Sequence, residues 1–141
     1  MPGRFQVFGW RPETDGLLRW RLISENGRQL ALSPTSFASF DQAAEAAFAT
    51  RLSAPGGAVH IASHARTGWG WALRPVPDLG SEPLAISGRR YARRVELMES
   101  IARFRLIAAS AEVSTTCVVF RRGATASYPV ADSGGPTLRR G

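Results

Sequence analysis

Leu18, Trp20 and Leu22 alternate with Arg19 and Arg21, an apolar–polar period of two that predicts a β-strand with one buried and one wet face. Trp69, Trp71 and Leu73 lie on one face of a second such strand. Phe5 to Trp10 is a β-rich run closed by Arg11-Pro12 and the turn pair Asp15-Gly16, which predicts a strand before the first alternation. After it, Asn26-Gly27 predicts a tight hairpin turn with positive φ at both central residues, and Leu30 to Ser33 runs back antiparallel until Pro34 stops the pairing. Val59 to Ser63 and Leu84 to Ser87 are the matching strands of the second half, with the proline-rich loop Arg74 to Pro83 in place of the hairpin.

Elsewhere the period changes to that of a helix. Ser39-Phe-Asp-Gln42 has the form of a capping box, and Phe40, Ala44, Phe48 and Leu52 recur at spacing four as one apolar stripe, ended by Pro55-Gly56-Gly57. A second helix is predicted from about Arg94 to Ala108, with Leu97, Ile101, Phe104 and Ala108 as its stripe and Met98 beside it. Thr115 to Phe120 is a continuous apolar run that predicts one more strand at a sheet edge, and the last dozen residues, rich in Gly, Pro and Ser, read as a loose tail.

These elements fall into two copies of one pattern. Trp20-Arg-Leu22, Leu30-Ala-Leu-Ser33 and Phe37-Ala38 are answered by Trp71-Ala-Leu73, Leu84-Ala-Ile-Ser87 and Tyr91-Ala92. Ser33 and Leu52 lie fifty-four positions before Ser87 and Leu106, whereas the tryptophans are fifty-one apart, so the second turn has gained three residues. A unit of this size has an incomplete core, so the copies are expected to bury their apolar faces together. The expected fold is α+β: tandem β-β-β-α repeats over 1–54 and 55–110 with pseudo-twofold symmetry, each an antiparallel meander backed by a helix, then a C-terminal strand and flexible tail over 111–141. Trp20, Leu22, Trp71 and Leu73 are expected to form the facing cores of the two meanders.

The run Trp20-Arg-Leu-Ile-Ser-Glu-Asn-Gly27, Leu30-Ala-Leu-Ser33, Phe37-Ala-Ser-Phe-Asp-Gln-Ala-Ala44 resembles the YegP-like family of small uncharacterised bacterial and archaeal proteins. The second copy matches through Trp71-Ala-Leu73, Leu84-Ala-Ile-Ser87 and Tyr91, so the resemblance spans roughly residues 5 to 108. It implies the same tandem β-β-β-α architecture and no established enzyme, cofactor or catalytic residue. The second copy departs from the pattern by losing the Asn-Gly turn and the serine cap.

Composition narrows the function classes. A chain of 141 residues with 44% hydrophobic and 21% charged residues can build a core without disulfides or metals. No apolar run approaches the ~20 residues of a membrane span, and MPGRFQVFGW lacks the features of a signal peptide, so a cytoplasmic location is expected. The lone Cys117 forms no internal disulfide, and its apolar setting, without a base or an electropositive niche, reads as an inert thiol. The net charge is +7 and every basic residue is arginine, a bias that suits anionic partners and equally follows from a GC-rich genome. Its distribution is uneven: residues 1 to 54 carry six arginines against five acids, residues 55 to 110 eight against four.

The excess gathers at Arg89, Arg90, Arg93 and Arg94, where alignment of the copies puts Arg93 at the position of the Ser39 cap. Cations at a helix N-terminus oppose the helix dipole, so either a bound phosphate or sulfate compensates, or Glu96 and Glu99 pair with them across a solvated helix end. Trp69, Trp71 and Tyr91 offer stacking surfaces for bases where they face out and core where they do not. His60 and His64 share a strand face, but no third metal ligand is near in sequence. The acids read as solvation, and the glycines at 55 to 57 and 134 to 135 as linkers. The expectation is a non-enzymatic, monomeric binding domain without cofactor, taking a polyanion or nucleic acid at the arginine cluster. The alternative is a protein-interaction module using the sheet edge near Val118.

Overall fold

The computed structural model describes residues 3–11, 17–76, 80–121 and 129–132. The elements follow in the order β1 (Gly3–Arg11), β2 (Arg19–Ser24), β3 (Gln29–Leu32), α1 (Phe40–Ser53), β4 (Ala58–His64), β5 (Gly68–Arg74), β6 (Ala85–Ser87), α2 (Arg94–Ala108), β7 (Glu112–Arg121) and β8 (Pro129–Asp132). All the strands join one eight-stranded mixed sheet in the order β4-β5-β6-β3-β2-β1-β7-β8. Asp15-Gly16 and the tail beyond Asp132 lie outside the described residues.

The period-two pattern sets the two faces. Phe5, Val7, Trp20, Leu22, Trp71, Leu73, Cys117 and Val119 turn to one side, where both helices cover them in a single core. Trp20 and Trp71 therefore do not form two facing cores; they lie on the same side of one continuous sheet. On the opposite side Phe8, Val118 and Phe120 make a smaller cluster that no helix joins. The meanders β1-β2-β3 and β4-β5-β6 meet where β3 and β6 pair antiparallel, Ala31 opposite Ser87 and Leu32 opposite Ile86. At this seam Gly88 donates its amide to the Leu30 carbonyl at 3.1 Å. A Cβ on Gly88 would fall 2.2 Å from the Gln29 carbonyl, so only glycine fits.

Matching local bonds hold each meander. The Trp20 amide donates to Ser33 Oγ at 3.2 Å and the Trp71 amide to Ser87 Oγ at 3.3 Å. Leu18 bridges Phe37 as Trp69 bridges Tyr91. The β2–β3 turn is one residue longer than the Asn-Gly signal implies. The Ser24 amide bonds the Arg28 carbonyl and the Gly27 amide the Ser24 carbonyl, leaving a three-residue loop with Gly27 at φ 86°.

α1 starts as a capping box, with one displacement. Ser39 Oγ accepts from the Gln42 amide at 3.1 Å, but Gln42 Oε1 takes the amide of Ala38 instead of Ser39. Its buried face differs from the predicted stripe. Ala43, Ala47 and Thr50 are buried, while Phe48 is 49% and Leu52 81% exposed. A spacing of four overshoots one turn by about 40°, so a stripe from position 40 to 52 winds roughly a third of the way round the helix. Position 43 to 47 to 50 keeps to the sheet. The α2 stripe of Leu97, Ile101, Phe104 and Ala108 mixes both spacings and is buried as predicted, together with Ser100, whereas Met98 is exposed.

A second correction concerns the edge at Val118. β7 is an interior strand, parallel to β1 on one side, with Val118 opposite Phe8, and antiparallel to β8 on the other, with Val118 opposite Ala131. A continuous apolar run fits a strand whose two faces both meet apolar neighbours, so that signal marks the interior of a sheet as readily as its edge.

Candidate anion-binding site

The strand bridge between Trp69 and Tyr91 and the start of α2 place the four cluster arginines at one end of the sheet. The Trp69 amide donates to the Tyr91 carbonyl at 2.7 Å and the Tyr91 amide returns to Trp69 at 2.9 Å, which fixes Arg89, Arg90 and Arg93 on either side of a rigid link. Gly68 makes this approach possible: its φ is 94°, and a Cβ there would fall 2.3 Å from the Tyr91 carbonyl. Arg93 is the N-cap of α2, with extended backbone and no side-chain cap bond, unlike Ser39.

All four arginines are exposed, but they do not converge. Arg93 pairs with Glu96 at 3.2 Å across the first helical turn, so one of the two expected glutamate partners is engaged. Arg89 lies over the ring of Tyr91, 4.9 Å from its centroid, and Arg94 lies 6.0 Å from the centroid of Trp69. Both rings are half-buried against the core, whereas Trp71 is only 3% exposed and offers no stacking surface. Arg90 turns to the helix-free side, where its stem rests on Gly70. Among the described residues Arg89, Arg90 and Arg94 have no ion-pair partner.

Other candidate residues separate cleanly. Cys117 is buried at 5% exposure in the core. His60 and His64 do share one face of β4, with Ala72 and Gly68 as their partners on β5, and no group of three metal-ligating side chains exists among the described residues. No described helix is long and apolar enough to cross a membrane. A depression of about 750 Å³ lies between the β2–β3 turn and the end of α2; it sets Glu25 against Arg28 and Arg103 beside exposed Leu106, so both signs of charge line it.

Sequence reasoning missed one cationic group. Arg21 projects from β2 onto the helix-free face, where its guanidinium lies 5.2 Å from the Phe8 and 4.8 Å from the Phe120 ring centroid. Its Nε donates to Gln6 Oε1 at 2.8 Å. Burial first, and then the charge of Arg4, lower its pKa to about 10. The alternation Arg19-Trp-Arg21 marks a wet face, and Phe8 on β1, together with Phe120 brought alongside by the parallel β1–β7 pairing, makes that face partly apolar.

Comparison with known proteins yields no matching family model and no matching curated protein. Two solved structures share the fold. One is the protein yegP of unknown function from E. coli, with a TM-score of 0.66 at 17% identity over 88% of this chain and 97% of that one. The other is a UPF0339 protein from Shewanella oneidensis, with a TM-score of 0.67 at 10% identity over 91% of this chain and 99% of that one. At these identities the likeness establishes an α+β fold common to all three, and what is known of the two neighbours adds no activity to it.

Proposed function

We propose that this chain is a YegP-like, non-enzymatic binding domain that captures a polyanion, nucleic acid foremost, at the arginine end of β5 and α2. The observation that carries this reading is the pair of guanidiniums over half-buried rings: Arg89 on Tyr91 and Arg94 on Trp69, without carboxylate partners among the described residues. Such a pair offers a cation to phosphate and a ring edge to a base in one place. Within this reading the two β-β-β-α units are tandem repeats about a pseudo-twofold axis at the β3–β6 seam, supported by the equivalent serine bonds of Trp20 and Trp71. The second unit has traded its serine cap for charge, which favours binding over stability at that helix end.

Fluorescence anisotropy of labelled single-stranded DNA, RNA and duplex tests it, with wild type against the Arg89/Arg90/Arg93/Arg94→Ala variant. Four phosphate contacts correspond to roughly a hundredfold loss of affinity between 50 and 200 mM salt. Binding that ignores salt, or survives in the folded variant, rejects the proposal. A second reading, a module that pairs a partner strand, is favoured by one observation: among the described residues β4 has β5 as its one strand neighbour, and it carries no Asp, Glu, Lys, Arg or Pro. Salt-insensitive capture of an extended peptide distinguishes it.

A further inference from the structure

The helix-free face of the second meander holds a trough of about 300 Å³ whose lining includes His60, His64, Arg74 and Arg90 and no carboxylate. Ala62 sits opposite Gly70, and Ala72 lies between His60 and Ile86, so the floor between the cations is low and apolar, with Ile86 its bulkiest side chain. From Gly70 to Arg74 the strand advances about 13 Å at ~3.3 Å per residue, and the two guanidiniums belong to the two ends of that span.

Both are held by neutral acceptors. Arg74 donates from Nε to the Ser81 carbonyl at 2.9 Å and approaches His60 Nδ1 from NH1 at 3.4 Å. Because a guanidinium only donates, His60 Nδ1 is placed as the acceptor of that approach. Arg90 donates from NH1 to Thr67 Oγ1 at 3.3 Å, and its stem occupies the space above Gly70, where a Cβ would come within 3.3 Å of Arg90 Cδ, Arg90 Nε and Ser87 Oγ. These bonds fix direction without cancelling charge. A lining with two oriented guanidiniums and no carboxylate suits a phosphoryl group, and its volume sits at the lower end of small-ligand pockets.

We propose that this trough binds a small organic phosphate lengthwise, with the phosphoryl group held at the Arg74 and His60 end and the organic body resting on Ala62, Ala72 and Ile86 toward the Arg90 stem. Arg90 is its one residue in common with the polyanion surface, whose aromatic-stacked arginines Arg89 and Arg94 lie outside the trough lining. A phosphate-bearing end of a longer chain and a free nucleotide share this chemistry, and the probes separate them.

The test is a calorimetric and amide-shift titration of the full chain with adenosine 5′-monophosphate, inorganic phosphate, adenosine and a 5′-phosphorylated oligonucleotide. Saturable binding of the monophosphate is expected, with shifts centred on Ala62, Gly70 and Ala72, none with adenosine, and at least tenfold weaker binding of inorganic phosphate. Arg74→Gln is expected to weaken binding tenfold or more and Arg90→Gln to a smaller, measurable extent, both with unchanged thermal melts. The Arg89/Arg93/Arg94→Ala variant is expected to keep monophosphate affinity whatever happens to its nucleic-acid binding, which separates failure of this site from failure of the polyanion surface. Tighter binding of the oligonucleotide than of the monophosphate, weakened in the same Gln variants, assigns the trough to chain ends and supports the phosphoryl site. Absence of saturable binding, shifts centred on the helices, equal affinity for inorganic phosphate, or indifference to both Gln variants overturns it.

Discussion

Trp71 donates its indole N–H to Ser100 Oγ at 3.1 Å, and that hydroxyl passes its own proton to the Leu97 carbonyl at 2.7 Å. Trp20, fully buried beneath the same layer of helices, has no partner for its indole nitrogen. The position of α1 that corresponds to Ser100 by the fifty-four-residue offset is Ala46. A buried donor left unpaired costs about 1–3 kcal/mol. Ala46→Ser is therefore expected to stabilise the fold by about 1 kcal/mol after the lower helix propensity of serine is deducted. Ser100→Ala should lose about 1–3 kcal/mol by creating a second orphan. Urea unfolding midpoints check both, and exchange protection of the Trp20 indole proton reports the new bond directly.

Trp71 also packs against Phe104 with ring centroids 4.6 Å apart, joining β5 to α2. Trp71→Ala should cost about 3–5 kcal/mol through the cavity it leaves. A thermal melt should show a large fall in midpoint or no cooperative transition, whereas a near-native midpoint would mean that this pairing is not central to the core.

The two faces of α1 should respond oppositely to substitution. Leu52→Gln, on the outer surface of α1, is expected to change stability by no more than about 0.5 kcal/mol. Ala47→Leu, on the face against the sheet, should destabilise by about 1–3 kcal/mol through overpacking. The reverse ranking is what the spacing-four stripe implies, so chemical denaturation of the pair decides between the sequence pattern and the observed packing.

Why one helix face was legible and the other was not follows from the residues involved. On α2 three of the buried positions, Leu97, Ile101 and Phe104, are large and apolar and announce themselves. On α1 the buried positions are Ala43, Ala47 and Thr50, which carry little hydrophobic signal, while Phe48 and Leu52 carry a strong one and face out. Strands and turns were readable because alternation and glycine positions are local. The parallel β1–β7 pairing was not, since nothing near Phe8 refers to Val118. The arginine cluster was visible as a run in sequence; that Arg90 lies over Gly70 on the opposite side of the sheet from the helices required the register of β5.

Arg21 makes a prediction about alkaline solution. Its pKa in the folded chain is lowered to about 10, well below that of an exposed arginine, so above pH 10 the unfolded chain holds this proton more tightly than the folded one. The desolvation cost is thus carried in full at neutral pH, and stability from this group rises as pH climbs above about 10. Arg21→Met, which keeps the apolar stem between Phe8 and Phe120, is expected to match or exceed wild-type stability at pH 7 and to abolish that alkaline rise. Urea titrations at pH 8 and 11 measure it; a strongly destabilised variant at pH 7 would show that the ring contacts and the Gln6 bond outweigh desolvation.

The pairing of Phe8 with Val118 joins residues 110 positions apart in the chain. During synthesis β1 and β2 emerge early and can form their hairpin, yet the outer edge of β1, with Phe8 exposed on it, has no native neighbour until β7 has left the ribosome. Closing so long a loop is slow, and an apolar edge held open for that interval is a site for pairing with other nascent chains. The order of manufacture therefore makes the N-terminal strand the vulnerable one, and a chaperone acting on this chain has its greatest effect before β7 arrives.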